Sequence, residues 1–92
     1  MILDNLLKEL ELLLSDIAFA GVRNVLPVTL QKMEELKHWM KELGMSEGMR
    51  RIDAFSVSVR KYQAGEGTAE AAVSCLCALE CYQKTVSGLQ NL

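Results

Sequence analysis

Few side chains in this sequence are of the types that do chemistry, and their spacing decides what they can do. His38 is the single histidine. It follows Glu35 by three residues, and Glu-x-x-His is the fragment that di-iron helical bundles use twice, beside two further glutamates. Only one copy occurs here. The helical phase also puts His38 nearly opposite Met33, Leu36, Met40 and Leu43, with Glu34 and Glu42 flanking it at four-residue spacing. Metal ligands must converge on one point, so this pattern reads as a solvated Glu–His stripe.

The three cysteines, Cys75, Cys77 and Cys81, form a C-x-C-x-x-x-C cluster. At about 100° per helical residue, Cys75 and Cys77 point roughly 160° apart, so they cannot share an ion on an intact helix. Cys77 and Cys81 share a face, but two thiols are half of a zinc site. An odd number of cysteines on one short segment does not read as a secreted disulfide scaffold, and it suits reduced thiols in a cytoplasmic protein. Cys75 reads as core filler, and the other two as small apolar surfaces.

No arrangement of nucleophile, base and orienting group is evident. Glu34 and Glu35 are adjacent and splay apart on a helix. The segment Ala64-Gly65-Glu66-Gly67-Thr68 has two glycines but neither the lysine nor the preceding strand of a phosphate loop. The expectation is therefore a non-enzymatic chain with no cofactor and no metal. Leu43-Gly44-Met45-Ser46, followed by Arg50 and Arg51, superficially resembles a helix-turn-helix. The places where that motif needs a small residue and two docking apolar residues hold Met40, Arg50 and Asp53 instead. Arg50, Arg51, Arg60 and Lys61 could touch phosphates, but a chain of net charge −2 gives nucleic-acid binding weak support.

The elements that carry these residues are helical. Leu3, Leu6, Leu7, Leu10, Leu13, Leu14 and Ile17 recur at spacings of three and four and predict a helix over 2–20, stopped by Gly21. Pro27 suits a first helical turn. It opens a second helix to Leu43, striped by Leu26, Leu30, Met33, Leu36, Met40 and Leu43, with Gly44 as the cap. A third helix is expected over 47–63, with Ser46 as N-cap and Ile52, Phe55, Val59 and Tyr62 inward. Phe55, Val57 and Val59 also alternate as a strand would, but the flanks read as helix. Thr68 is placed to cap a fourth helix over 69–86, striped by Ala72, Cys75, Leu76, Leu79, Tyr82 and Val86, with Gly88 ending it.

Four amphipathic helices on short connections predict an all-α fold, a four-helix up-down bundle forming one small domain over residues 1–92. Half of the residues are apolar, which argues against disorder. No uninterrupted apolar stretch approaches the roughly 18 residues of a membrane span. The N-terminus places Asp4 early and breaks its apolar run with Lys8, Glu9 and Glu11, unlike a signal peptide. The charge is uneven: four acids and one base over 1–20, eight bases and five acids over 21–63, three acids and one base over 64–92.

Two helices are apolar on more than one side. Leu12 and Phe19 lie almost opposite the first helix's main stripe. Cys77 and Cys81 lie opposite Leu76, Leu79 and Val86 on the fourth, beside the small residues Ala71, Ser74 and Ala78. An up-down bundle sets its first and fourth helices side by side, so these faces are expected to merge into one patch. The function expected is a small interaction or assembly domain that binds through Leu12, Phe19, Ser74, Cys77 and Cys81. The partner would be a second copy of the chain or another protein. The alternatives are a sensor or carrier holding an apolar ligand between Met- and Leu-rich helices, and weak nucleic-acid binding through helices two and three.

Overall fold

In the computed structural model, which describes residues 2–90, the expected stripes become four helices. These are α1 (Leu3–Ala20), α2 (Pro27–Glu42), α3 (Ser46–Gln63) and α4 (Ala69–Gln90). Each packs against its sequence neighbours, and α1 closes the ring against α4, while the diagonal pairs make no close backbone approach among the described residues. The short connections make neighbours antiparallel, so the ring is an up-down four-helix bundle. Its extents of 41 × 21 × 19 Å fit helices lying side by side along one long axis.

The core is built from the anticipated stripes. Leu6, Leu10, Leu14 and Ile17 of α1 meet Leu30, Met33, Leu36 and Met40 of α2. Ile52, Phe55 and Val59 of α3 and Ala72, Leu76 and Leu79 of α4 complete it. Phe55 is its largest fully buried side chain. Two expected members are exposed, and Tyr82 and Val86 are only half-buried. Leu26 is 60 % exposed and Leu43 is 43 % exposed. They are the N-cap and C-cap of α2, where the chain leaves helical geometry and the periodicity no longer aims a side chain inward. Val22 and Val25, in the connection after α1, are buried in their place.

That first connection is ordered. Val22–Asn24 forms a 3₁₀ turn, and the Asn24 side-chain amide donates to the Ala20 carbonyl at 2.7 Å, covering an open end of α1. From α3, the Gln63 amide donates to the Val25 carbonyl at 2.8 Å. The connection therefore folds back over the end of the core and seats its two valines there.

Both glycine stops of α2 and α3 are Schellman turns. At the end of α2, Gly44 has φ +73°, Met45 N–H donates to Met40 C=O at 2.8 Å and Gly44 N–H to Lys41 C=O at 3.2 Å. Gly65 repeats the arrangement after α3 at φ +77°, with Glu66 N–H on Lys61 C=O and Gly65 N–H on Tyr62 C=O. A positive φ costs glycine little, which is why these turns select it. Thr68 caps α4 as expected, its Oγ accepting from Ala71 N–H at 3.1 Å. Ser46 does not cap α3. Met45 closes the Schellman turn and is at once the N-cap of α3, so Ser46 falls inside the first helical turn. Gly88 does not end α4, which runs on to Gln90. A lone glycine costs a helix only about 1 kcal/mol, and Gly88 takes no positive φ.

Gly48 does something else. It is buried inside α3, and a Cβ placed there would lie 2.8 Å from Met40 Sδ and 2.9 Å from Tyr82 Cε2. The missing side chain lets α2 and α4 both press against the start of α3. Replacing Gly48 with Ala gains helix propensity of about 1 kcal/mol at most but overpacks a three-helix contact at about 1–3 kcal/mol. Gly48→Ala is expected to lower stability by about 1 kcal/mol, a melting point lower by roughly 5 °C. Gly88→Ala, with nothing within 4 Å of its Cβ position, is expected to raise stability by up to about 0.5 kcal/mol. Thermal melts of the two variants should therefore shift in opposite directions.

Candidate interaction surface

Helical phase in α1 commits Leu6, Leu10, Leu14 and Ile17 to the core, which leaves Leu12 and Phe19 on the outside. Leu12 is 53 % exposed and Phe19 is 95 % exposed. On α4, Ser74, Cys77 and Cys81 are likewise exposed. All five residues singled out from the sequence thus lie at the surface. Between the two sets runs the α1–α4 seam, a groove lined by Glu11, Leu14, Ser15, Ala18, Glu80, Gln83, Lys84 and Ser87. It mixes polar groups with Leu14 and Ala18, and it separates the α1 residues from the α4 cysteines.

Leu12 instead opens onto the other side of α1. It lines a groove of about 400 Å³ with Glu9, Leu13 and Asp16, facing Lys32, Glu35 and Leu36 of α2. Sequence reasoning missed this seam. Of the ten large hydrophobic residues most exposed among those described, Ile2, Leu12 and Phe19 belong to α1 and its lead-in. Leu26, Val28, Trp39 and Leu43 belong to α2 and its caps, and only Val57, Val73 and Leu89 lie elsewhere. A signal was available. Val28 and Trp39 are eleven residues apart, about three helical turns, on the side of α2 that turns away from Met33 and Met40.

Several charged groups are paired locally. Glu47 receives Arg50 in a fork, with Nη2 at 2.6 Å and Nε at 3.0 Å, and Arg51 Nε lies 2.9 Å from the same carboxylate. The Arg50 hydrogen bonds hold the Glu47 carboxyl below its usual pKa. Two of the four cations considered for phosphate contact are therefore committed to one carboxylate. Lys37 bridges α2 to α3, 2.7 Å from Asp53 and 2.9 Å from Glu34. Its hydrogen bond to Asp53, then that to Glu34, raises its pKa.

His38 is exposed, with its ring edge-on to Trp39 at 5.4 Å between centroids. Cys75 is half-buried and lies 3.3 Å from Ser58 Oγ across α3–α4. All three cysteines are free thiols. Among the described residues no group of three or more His, Cys, Asp or Glu side chains is placed to hold a metal ion, and no helix is long and apolar enough to cross a membrane.

Two polar residues inside the bundle were also missed. Gln83 is only 6 % exposed, and its amide donates to Ser87 Oγ at 3.0 Å and reaches the Leu7 carbonyl at 3.5 Å. Ser56 is buried, with no hydrogen-bond partner for its hydroxyl among the described residues. Tyr82 lies across the start of α3. Burial raises its phenol above the ordinary tyrosine pKa, with Glu47 adding to the rise, while the Gly48 backbone and Arg51 oppose it.

The chain matches no protein-family model, and no curated protein or solved structure shows significant similarity to it.

A folded-state pKa above the unfolded value means that Tyr82 favours folding below the ordinary tyrosine pKa near ~10 and that this contribution is lost as pH rises through the higher folded value. Lys37 acts in the same direction, so the comparison must isolate the phenol. In urea denaturation from about pH 9 to about pH 11, Tyr82→Phe is expected to lose stability less steeply than the wild type. Parallel curves would show that the phenol makes no such contribution.

Proposed function

We propose that this chain is a non-enzymatic helical interaction domain and that the α1–α2 face is where its protein partner docks. The observation that carries this reading is Phe19, an aromatic side chain 95 % exposed on the same helix as the half-exposed Leu12. Single exposed apolar residues are ordinary on a monomer. A run of them along two adjacent helices is the pattern of a surface that is covered when the protein works. Aromatic residues in particular anchor protein interfaces, because they bury a large area at low cost in side-chain freedom.

The core supports the same reading. Leu6, Leu10, Met33, Met40, Ile52, Phe55 and Leu79 are fully buried, while Phe19 is almost wholly exposed and adds little cover to them. The α4 face bearing Ser74, Cys77 and Cys81 has Val73 one turn before Cys77, 44 % exposed, and is a secondary surface in this proposal. Free thiols on that face suit a cytoplasmic setting.

The test is site-specific photo-crosslinking in cells that express the full chain. A photoreactive phenylalanine analogue at Phe19 or Leu12 is expected to give discrete adducts, and the same analogue at Arg60 on α3 is expected to give few. Equal labelling at the three positions, or none at any, would sink the proposal. With the analogue placed at Trp39 instead, Leu12→Glu with Phe19→Glu is expected to abolish the adducts formed there while circular dichroism still reports a folded helical protein. Loss of the helical signal in that variant would instead place the two residues in the stabilising core.

A further inference from the structure

The geometry points to a second copy of this chain as the occupant of the α1–α2 face, related by a two-fold axis that runs across the two helices at the level of Leu12. This inference rests on the reading of that face as a docking surface and adds the partner and the register.

Register comes from the spacing of the exposed residues. Leu12 and Leu13 face Glu35 and Leu36 across the groove, which sets one level on both helices. On α1, Lys8 and Asp16 stand four residues to either side of Leu12. On α2, Lys32 and Trp39 are centred between Glu35 and Leu36, and so are Val28 and Leu43. A two-fold axis at this level lays each helix antiparallel on its own copy. It then sets Lys8 beside the partner's Asp16, Lys32 beside the partner's Trp39, and Val28 beside the partner's Leu43.

Each pairing is favourable in kind. The first joins opposite charges. The second places an ammonium on an indole face, the strongest of the cation–aromatic contacts. The third joins two exposed aliphatic side chains. An isologous interface needs this self-complementarity, since every contact is made twice. Lys8 lies 3.8 Å from Glu11 on its own helix, with both side chains largely exposed. Such a pair is weak enough for Lys8 to turn outward.

The area is modest. Helices of 18 and 16 residues present a face about 25 Å long and about 20 Å wide. Its outline of about 500 Å² fits a small, reversible dimer rather than an obligate one.

Light scattering on the eluting full-length chain, under reducing conditions so that Cys77 and Cys81 cannot cross-link, should give twice the monomer mass of 10.2 kDa. Lys8→Glu alone and Asp16→Lys alone each set two like-charged pairs across the axis, and each is expected to weaken the dimer about tenfold. Mixing the two single variants restores both opposite-charge pairs. The mixture should form a heterodimer within about threefold of wild-type affinity, and the double variant should recover likewise.

A dimer indifferent to these swaps would overturn the proposed axis. A monomer at all concentrations would overturn the second copy as occupant. If Phe19 still cross-linked to a different protein, the docking surface would stand and only this inference would fall. A monomer with no adducts at Phe19 would end both.

Discussion

The packing of this bundle depends on a side chain that is absent. At Gly48 the backbone of α3 comes close enough to Tyr82 of α4 and Met40 of α2 that a single methyl group would overlap both. Three helices therefore meet at one point near the start of α3, where Met45 serves both the turn before it and the helix after it. The α3–α4 contact is the most extensive in the molecule, and the α1–α2 contact is the least extensive of the four neighbouring pairs. The close approach at Gly48 draws α2, α3 and α4 together. α1 is held by its leucine stripe, by Gln83 reaching the Leu7 carbonyl and by the tethered connection at its C-terminal end.

A looser α1–α2 seam leaves an open groove on one side of the bundle. Along it, Leu12 and Leu13 meet Leu36, while Glu9, Asp16, Lys32 and Glu35 form the rim. An apolar centre with a charged rim is the general anatomy of a protein interface. The α1–α4 seam, lined by Glu11, Ser15, Glu80 and Lys84 beside Leu14 and Ala18, mixes polar and apolar groups in the same way, but its lining does not include Leu12.

The helices, their order and most of the core were legible in the sequence because burial on a helix repeats every three or four residues. Leu6, Leu10, Met33, Phe55 and Leu79 follow from that period alone. Periodicity failed where the chain was not helical. Leu26 and Leu43 continue the arithmetic of α2 but sit at its caps, and Val22 and Val25 are buried by a turn that has no period. Gly48, Ser56 and Gln83 were missed for another reason: a stripe drawn through apolar residues passes over a glycine or an amide that shares the same face. For the surface, phase correctly put Leu12 and Phe19 outside. It could not say which neighbour they lean toward, because the hand of the helix ring is not written in the spacing. Trp39 and Val28 were passed over although their spacing was legible.

The most exposed apolar side chain, Phe19, adds little to the stability of this molecule, and the physical reason is its place outside the core. Burial of apolar area contributes about 25 cal/mol per Å² wherever it occurs, so a side chain left at 95 % exposure contributes almost nothing to the fold of the isolated chain. Phe19 retains nearly all of its hydrophobic free energy for whatever covers it. Phe55 has already spent its own inside the bundle. A domain arranged in this way can lose its outer aromatic and stay folded, or lose its inner one and cease to present any surface at all. α1 belongs to the closed ring through Leu6, Leu10, Leu14 and Ile17, and it carries Leu12 and Phe19 on the side that the ring leaves uncovered.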